Sequence, residues 1–139
     1  MTLPVTLSLV LALLAAAHAW WAVGGIWPSA SEPDLARAVI GDGRIRMPPP
    51  WQCAAVAIVL AGVAAWPWVV LRWPDSSFVL IGSIVIGAVF FIRGAAGYGG
   101  RWRARFKAEP FRTRDFYLYS PLCLALGVGF IALLTREMH

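Results

Sequence analysis

The chain of 139 residues is long enough for one compact domain. Hydrophobic residues make up 60% and charged residues only 14%, whereas soluble domains have roughly 45–50% and about 25%. This composition, with a mean hydropathy of +0.70, excludes an ordinary soluble domain and indicates an integral membrane protein. Cys53 and Cys123 do not form a C-x-x-C pattern, which excludes a thiol-redox pair of that type.

Four apolar stretches of about 20 residues follow one another, and each is long enough to cross a bilayer as a helix. Backbone groups in lipid have to hydrogen-bond within their own segment, so these stretches are predicted to be helical. We therefore predict an all-α bundle of four transmembrane helices that forms a single domain, residues 1–139. The predicted spans are about 3–23, 51–71, 77–96 and 116–135.

The first stretch resembles a signal peptide, because its apolar core ends in the small-residue sequence Ala17-His18-Ala19. It lacks the positively charged n-region that such peptides carry. We therefore interpret this stretch as a first transmembrane helix that is retained in the protein.

Basic residues are concentrated in two of the predicted loops. Loop one, residues 24–50, contains three arginines, and loop three, residues 97–115, contains five arginines and a lysine. The opposite side has only Arg72 and Arg136. By the positive-inside rule, loops one and three are predicted to be cytoplasmic and both termini to lie outside.

Loop one contains the signals of a short interfacial helix. Residues 31–34, Ser-Glu-Pro-Asp, match a capping box with proline near the first helical position. The helix is predicted to extend to Ile40 and to stop at Gly41. Leu35 and Val39, four residues apart, are predicted to face the membrane or the bundle.

Pro121 allows two starting points for the fourth helix. A start at Ser120 would leave a span of roughly 22 Å, which is short against a hydrocarbon core of about 30 Å. We therefore predict a start near Phe116, with Pro121 leaving the carbonyl of Tyr117 without its helical partner.

Small residues recur every four positions in three of the helices, a pattern that lets helices approach closely. This spacing could serve the bundle or a dimer, and the sequence does not choose between them. The residues are Ala57, Ala61 and Ala65, then Ser83 and Gly87, then Ala125 and Gly129.

On this topology the polar residues of all four helices lie at the cytoplasmic side of the membrane. Ionisable groups inside a membrane are energetically costly and mark functional sites by default. We therefore predict one cytoplasm-facing pocket, with a wall or a charge from each helix. Its predicted ligand-binding residues are His18, Trp21, Arg93, Tyr119 and Ser120.

Each polar residue also has a structural interpretation. His18 fits an interhelical hydrogen bond, Trp21 and Tyr119 fit an interfacial aromatic belt, and Arg93 fits a snorkelling side chain. Asp115 fits a helix cap, or an ion pair with Arg93 or Arg114. The sequence leaves these alternatives open, and it does not decide whether the protein is an enzyme.

Residues 101–107 alternate cations with Trp102 and Phe106. Beside a membrane helix, this pattern favours an anionic lipid surface over nucleic acid as the partner. The predicted contacts on the cytoplasmic face are Arg101, Arg103, Arg105 and Lys107.

Three further features belong together: HAWWAVGG at the end of the first helix, an arginine late in the third, and DFYLYSPLCLALG at the start of the fourth. The sharpest part is His18-x-x-Trp21 with the sequence Tyr-Ser-Pro-Leu at residues 119–122. Together they resemble domain-of-unknown-function family 3995, small bacterial membrane proteins with four predicted helices. The resemblance implies a location in the bacterial inner membrane and brings no established activity.

The predicted function is the binding of a lipid-like or amphiphilic molecule in the pocket. Arg93 would hold an anionic head group, and His18 would serve as hydrogen bonder or general acid/base. The alternative is a structural or accessory subunit of a larger membrane complex; a homodimer is a further possibility.

An exporter is disfavoured, because no Asp or Glu lies inside a predicted span. Neither a metal nor another cofactor is expected, because His18 is the one histidine inside a span and no ligand spacing accompanies it.

Overall fold

The computed structural model describes residues 2–137, and every regular element in that range is a helix. Four long helices are α1 (Thr2–Ala22), α3 (Pro50–Arg72), α4 (Ser77–Ala96) and α7 (Ser120–Glu137). Short helices are α2 (Glu32–Val39), α5 (Gly100–Arg105) and α6 (Phe111–Arg114), and a π-helical turn (Asp115–Tyr119) joins α6 to α7. The all-α prediction is therefore confirmed.

Among residues 2–137, four helical stretches are long and apolar enough to cross a membrane: Thr2–Ala22, Pro50–Arg72, Ser77–Ala96 and Phe111–Thr135. Large apolar side chains cover their outer surfaces; Ile58, Ile81 and Ile92, for example, are each more than 60% exposed. A continuous apolar surface of this kind is unfavourable in water and fits lipid. The chain is a multi-pass, four-helix membrane protein, and its orientation remains a prediction from the loop charges.

The bundle consists of two closely packed pairs of helices, α1 with α3 and α4 with α7. The backbones of α4 and α7 approach so closely that a Cβ on Gly127 would lie 2.9 Å from the carbonyl oxygen of Gly87. Leu11 of α1 and Phe130 of α7 are fully buried in one hydrophobic cluster, which joins the two pairs.

The small residues of α4 serve the inside of the bundle. Ser83 and Gly87 are buried, and the Ser83 hydroxyl accepts a hydrogen bond from the Trp66 indole N–H of α3 at 2.9 Å. On α3, by contrast, Ala61 and Ala65 are exposed. The alanine pattern of α3 is therefore only partly used in packing within the chain.

The short helix α2 has the predicted ends. Ser31 is its N-cap, and the Ser31 hydroxyl oxygen accepts a hydrogen bond from the backbone N–H of Asp34 at 3.3 Å. After the C-cap Ile40, Gly41 takes a φ of +76°, a conformation that favours glycine. Leu35 is fully buried, so this face of α2 packs against the protein.

Loops one and three lie at the same end of the bundle and contact each other. The backbone N–H of Ala108 donates to the carbonyl of Gly41 at 3.0 Å. The Phe111 ring packs so tightly on Gly41 that a Cβ there would overlap the ring. The Tyr119 hydroxyl donates to the carbonyl of Ala38 at 3.0 Å. The two loops thus form one folded layer.

The fourth span begins earlier than the predicted start near Phe116. Helical structure starts at Phe111 and continues through the π-helical turn, in which the Ser120 N–H donates to the carbonyl of Asp115. Pro121 follows this turn and has no N–H with which to continue the regular α-helical pattern. The stretch Phe111–Thr135 has 25 residues, about 37 Å of helix, which is enough to cross the bilayer.

Candidate functional site

Arg93 of α4 forms an ion pair with Asp115 at the start of the fourth span. Arg93 Nη2 donates to Asp115 Oδ1 at 2.7 Å, and the side chains are 30% and 3% exposed, respectively. The second carboxylate oxygen, Oδ2, accepts a hydrogen bond from the Trp102 indole N–H at 2.9 Å. The buried charge of Asp115 is therefore compensated at both oxygens, as a buried carboxylate requires.

Arg93, Trp102, Asp115 and Ser120 form what we call the Arg93 cluster. Arg93 makes two further contacts within it. The guanidinium of Arg93 lies 4.3 Å from the centre of the Trp102 ring, a cation–π arrangement. Arg93 Nη1 also donates to the fully buried Ser120 hydroxyl at 3.4 Å. Gly97 leaves the room for this contact, since a Cβ at that position would overlap the Ser120 hydroxyl. The cluster ties α4, α5 and the fourth span together.

His18 lies elsewhere, on α1 beside α3 and loop one. Its Nδ1 is 2.7 Å from the carbonyl oxygen of Leu14. A carbonyl oxygen can only accept, so Nδ1 carries the proton and Nε2 presents the lone pair in the neutral ring. Within the described part of the chain, Nε2 has no hydrogen-bond partner. This nitrogen is therefore available to a bound molecule.

The Trp21 ring packs against the His18 ring. The two rings meet edge to face with their centroids 4.9 Å apart. The Trp21 indole N–H donates to the carbonyl of Trp27 at 2.9 Å, which fixes the indole in place. The H-x-x-W spacing thus produces a direct ring contact on one face of α1.

A cleft of about 190 Å³, the His18 cleft, opens beside these two rings. It is smaller than the roughly 300–1,000 Å³ typical of pockets for drug-sized ligands, so it suits part of a larger molecule. Its walls combine apolar side chains with one amide and one buried thiol. They include His18, Trp21, Val39, Met47, Gln52 and Cys53.

The five predicted ligand-binding residues do not surround one cavity in the described structure. His18 and Trp21 line the His18 cleft, whereas Arg93 and Ser120 belong to the Arg93 cluster. The physical reason is the pairing of the helices, because α1 packs on α3 and α4 packs on α7. Tyr119 does not line the His18 cleft, and its hydroxyl donates to the carbonyl of Ala38.

Sequence reasoning missed two members of these sites. The sequence indicated Trp102 only as part of the basic and aromatic run at residues 101–107, and Gln52 belongs to no recognisable motif. An indole N–H near a membrane arginine is a weak signal, because aromatic residues near the interface usually form the aromatic belt. For Asp115 the sequence left two arginines open as partners, and the structure pairs it with Arg93.

The basic residues of loop three differ in their surroundings. Arg101, Arg105 and Lys107 are exposed, while Arg103 is partly buried with its guanidinium 5.0 Å from the centre of the Phe116 ring. Across residues 2–137, no three His, Cys, Asp or Glu side chains form a group that could hold a metal ion.

The comparisons with known proteins identify a family. The profile of the family described as "Protein of unknown function (DUF3995)" matches residues 11–130, a segment that contains both the His18 cleft and the Arg93 cluster. Searches of curated proteins and of solved structures found no match. Because the matched segment covers most of the sequence, the chain belongs to the DUF3995 family, whose function is unknown.

Proposed function

We propose that this protein binds an amphiphilic, lipid-like molecule and holds part of it in the His18 cleft. The observation that carries the proposal is the position of His18, whose imidazole lies in a membrane-spanning helix and lines an open cleft. Its Nδ1 is occupied by the Leu14 carbonyl, which leaves Nε2 for a ligand. A polar atom in such a place favours a ligand that can hydrogen-bond to it, because polar groups are costly to leave unsatisfied in lipid.

The chemistry of the cleft suits the polar end of the ligand and the first part of an apolar chain. Gln52 lines the same cleft and adds an amide, so a hydroxyl of the head group can donate to the imidazole Nε2 and also hydrogen-bond to the amide. Trp21, Val39 and Val56 supply apolar surface. The volume fits a head group, and the rest of the ligand extends into the surrounding lipid.

Arg93 takes a structural role in this proposal. Its charge is already neutralised by Asp115, and both are tied to neighbouring helices. An anionic head group would have to displace a buried carboxylate from its partner, which is unfavourable. The head group is therefore assigned to His18 and Gln52, which can hydrogen-bond a hydroxyl, and not to Arg93.

The bacterial inner membrane is the proposed location, with loops one and three at the cytoplasmic face. The excess of basic residues in these loops supports that orientation. Exposed Arg101, Arg105 and Lys107 are suitably placed to attract anionic lipids.

Native mass spectrometry of the protein released from a mild detergent tests the proposal. The wild type is expected to carry a bound amphiphile, and His18→Ala and Trp21→Ala are expected to lose it. Trp20→Ala is the matched control, because Trp20 neighbours Trp21 but is exposed and does not line the cleft.

Equal ligand retention by all four proteins would contradict the proposal. Stoichiometric recovery of another membrane protein, with no ligand on the wild type, would instead favour the alternative of an accessory subunit.

A further inference from the structure

A different cleft, of about 240 Å³, lies where loop three meets the fourth span. We call it the Arg103 cleft. It is lined by Arg103, Glu109, Arg112, Thr113, Phe116 and Tyr117. None of these residues lines the His18 cleft.

Two guanidinium groups border this cleft without acidic partners. The ion pairs found among residues 2–137 join Arg44 to Asp42 and Arg93 to Asp115, so neither Arg103 nor Arg112 is neutralised by a carboxylate. Arg103 is held over the Phe116 ring, which fixes its position. Two arginines at one cleft provide the forked donors that a phosphate group accepts.

Glu109 is the acidic residue of the cleft, and its position matters for an anion. Glu109 Oε2 accepts a hydrogen bond from the backbone N–H of Thr113 at 3.1 Å. This hydrogen bond uses one oxygen of the Glu109 carboxylate and partly stabilises its negative charge. Two cations against one carboxylate leave the cleft positive, although less so than without Glu109.

The cleft lies beside a surface that suits lipid chains. Tyr117 is 75% exposed and Leu118 is 55% exposed, and both belong to the stretch that is apolar enough to cross a membrane. The basic cleft and the apolar surface are therefore adjacent. This juxtaposition matches a molecule with a phosphate at one end and acyl chains at the other.

We propose that the Arg103 cleft binds the phosphate of an anionic phospholipid, with Arg103 and Arg112 as the donors to the phosphate. The Tyr117 hydroxyl is available to the remainder of the head group, and the acyl chains run along the surface at Leu118. This inference rests on the proposed position of loop three at a lipid surface. It does not depend on the His18 cleft.

Native mass spectrometry with added dioleoylphosphatidylglycerol or dioleoylphosphatidylcholine tests the inference. The wild type is expected to bind one phosphatidylglycerol in preference to phosphatidylcholine. Arg103→Gln and Arg112→Gln are each expected to weaken phosphatidylglycerol binding by about fivefold, the usual contribution of one basic residue at a lipid surface.

Arg46→Gln is the matched control, since it removes the same charge from an exposed residue of loop one that lies outside the cleft. Its phosphatidylglycerol binding is expected to equal that of the wild type. Glu109→Gln keeps an acceptor for the Thr113 N–H, removes the negative charge and is expected to strengthen binding. This gain cannot be explained by misfolding.

Two results would overturn the inference. Equal losses for Arg103→Gln, Arg112→Gln and Arg46→Gln would show diffuse attraction by surface charge. Displacement of phosphatidylglycerol by an equal concentration of inorganic phosphate would show that the site recognises free phosphate. Neither result would bear on the proposed binding of an amphiphile in the His18 cleft, which is tested by variants on α1.

Discussion

Asp115 and Ser120 lie five residues apart, yet both side chains are buried beside Arg93. A regular α-helix rotates about 100° per residue, so it would separate two such side chains by about 140°. The π-helical turn closes five residues instead of four and brings both side chains to one face. Pro121 also favours the π-helical turn that precedes it, because proline has no backbone N–H to donate to the regular α-helical hydrogen-bond pattern.

The two partners of the ion pair are expected to contribute unequally to stability. Arg93→Gln leaves the almost fully buried Asp115 carboxylate without its cation, and we expect a loss of about 3 kcal/mol. Asp115→Asn leaves an arginine that is 30% exposed and can reach water, and we expect a loss of about 1 kcal/mol.

The free energy of unfolding, measured by denaturant titration in detergent micelles, checks this order. The double variant is expected to lose less than the sum of the single variants, as coupled partners do. Strict additivity, or a larger loss for Asp115→Asn, would contradict the arrangement.

The π-helical turn predicts how the protein responds to a change in the number of residues between Asp115 and Ser120. Deleting Leu118, which is exposed, places Asp115 four residues before the serine, and an α-helix puts residues four apart on one face. We expect the deletion variant to keep the pairing of Arg93 with Asp115 and to unfold within about 1 kcal/mol of the wild type.

Inserting an alanine after Leu118 is the counterpart, because it moves Asp115 away from the face of Ser120. We expect it to lose about as much stability as Arg93→Gln. A deletion more harmful than the insertion would show that the π-helical turn itself is required.

Gly97 is expected to tolerate no side chain. A Cβ there would overlap the Ser120 hydroxyl and lie 3.0 Å from Asp115 Oδ2. Overpacking of this kind costs typically 1–3 kcal/mol, so Gly97→Ala should lower the melting temperature. In Gly100→Ala the new Cβ meets nothing within 4 Å, and this control should melt at or above the wild-type temperature. Similar melting of both variants would exclude the tight contact.

The Tyr119 hydroxyl is expected to hold loop one against the start of the fourth span. Tyr119→Phe removes its hydrogen bond to the carbonyl of Ala38 and should cost about 1 kcal/mol. Limited proteolysis should then cut loop one faster. Tyr117→Phe is the control, because that ring is 75% exposed and its loss of a hydroxyl should leave both measurements unchanged. Equal protease resistance in both variants would argue against the link.

Asp42 and Arg44 in loop one predict a small dependence on pH. The side-chain hydrogen bonds from Arg44 lower the pKa of the Asp42 carboxyl. The stabilisation is thus present above the unfolded pKa of about 3.9 and is lost as pH falls through the lower folded value. Arg44 is 45% exposed, so the effect should stay below about 1 kcal/mol. Melting curves of the wild type and Asp42→Asn should differ at neutral pH and converge once the pH has fallen below the lowered pKa of Asp42.

The class of the protein and its local elements follow from the sequence by itself. Composition and the length of the apolar stretches determine a four-helix membrane protein, because lipid allows few ways to satisfy a backbone. The ends of α2 were also predictable, since the Ser31 cap and Gly41 act within a few residues of chain. The sequence likewise indicated which polar residues to consider.

Only the tertiary structure decided how those residues are grouped. Pairing of α1 with α3 and of α4 with α7 separates His18 from Arg93, and no local pattern encodes which helices pair. The partner of Asp115 and the contact of Tyr119 with Ala38 depend on groups 22 and 81 residues away. Contacts over such distances in the chain are set by packing of whole helices, where the small residues of α4 and α7 select the closest approach.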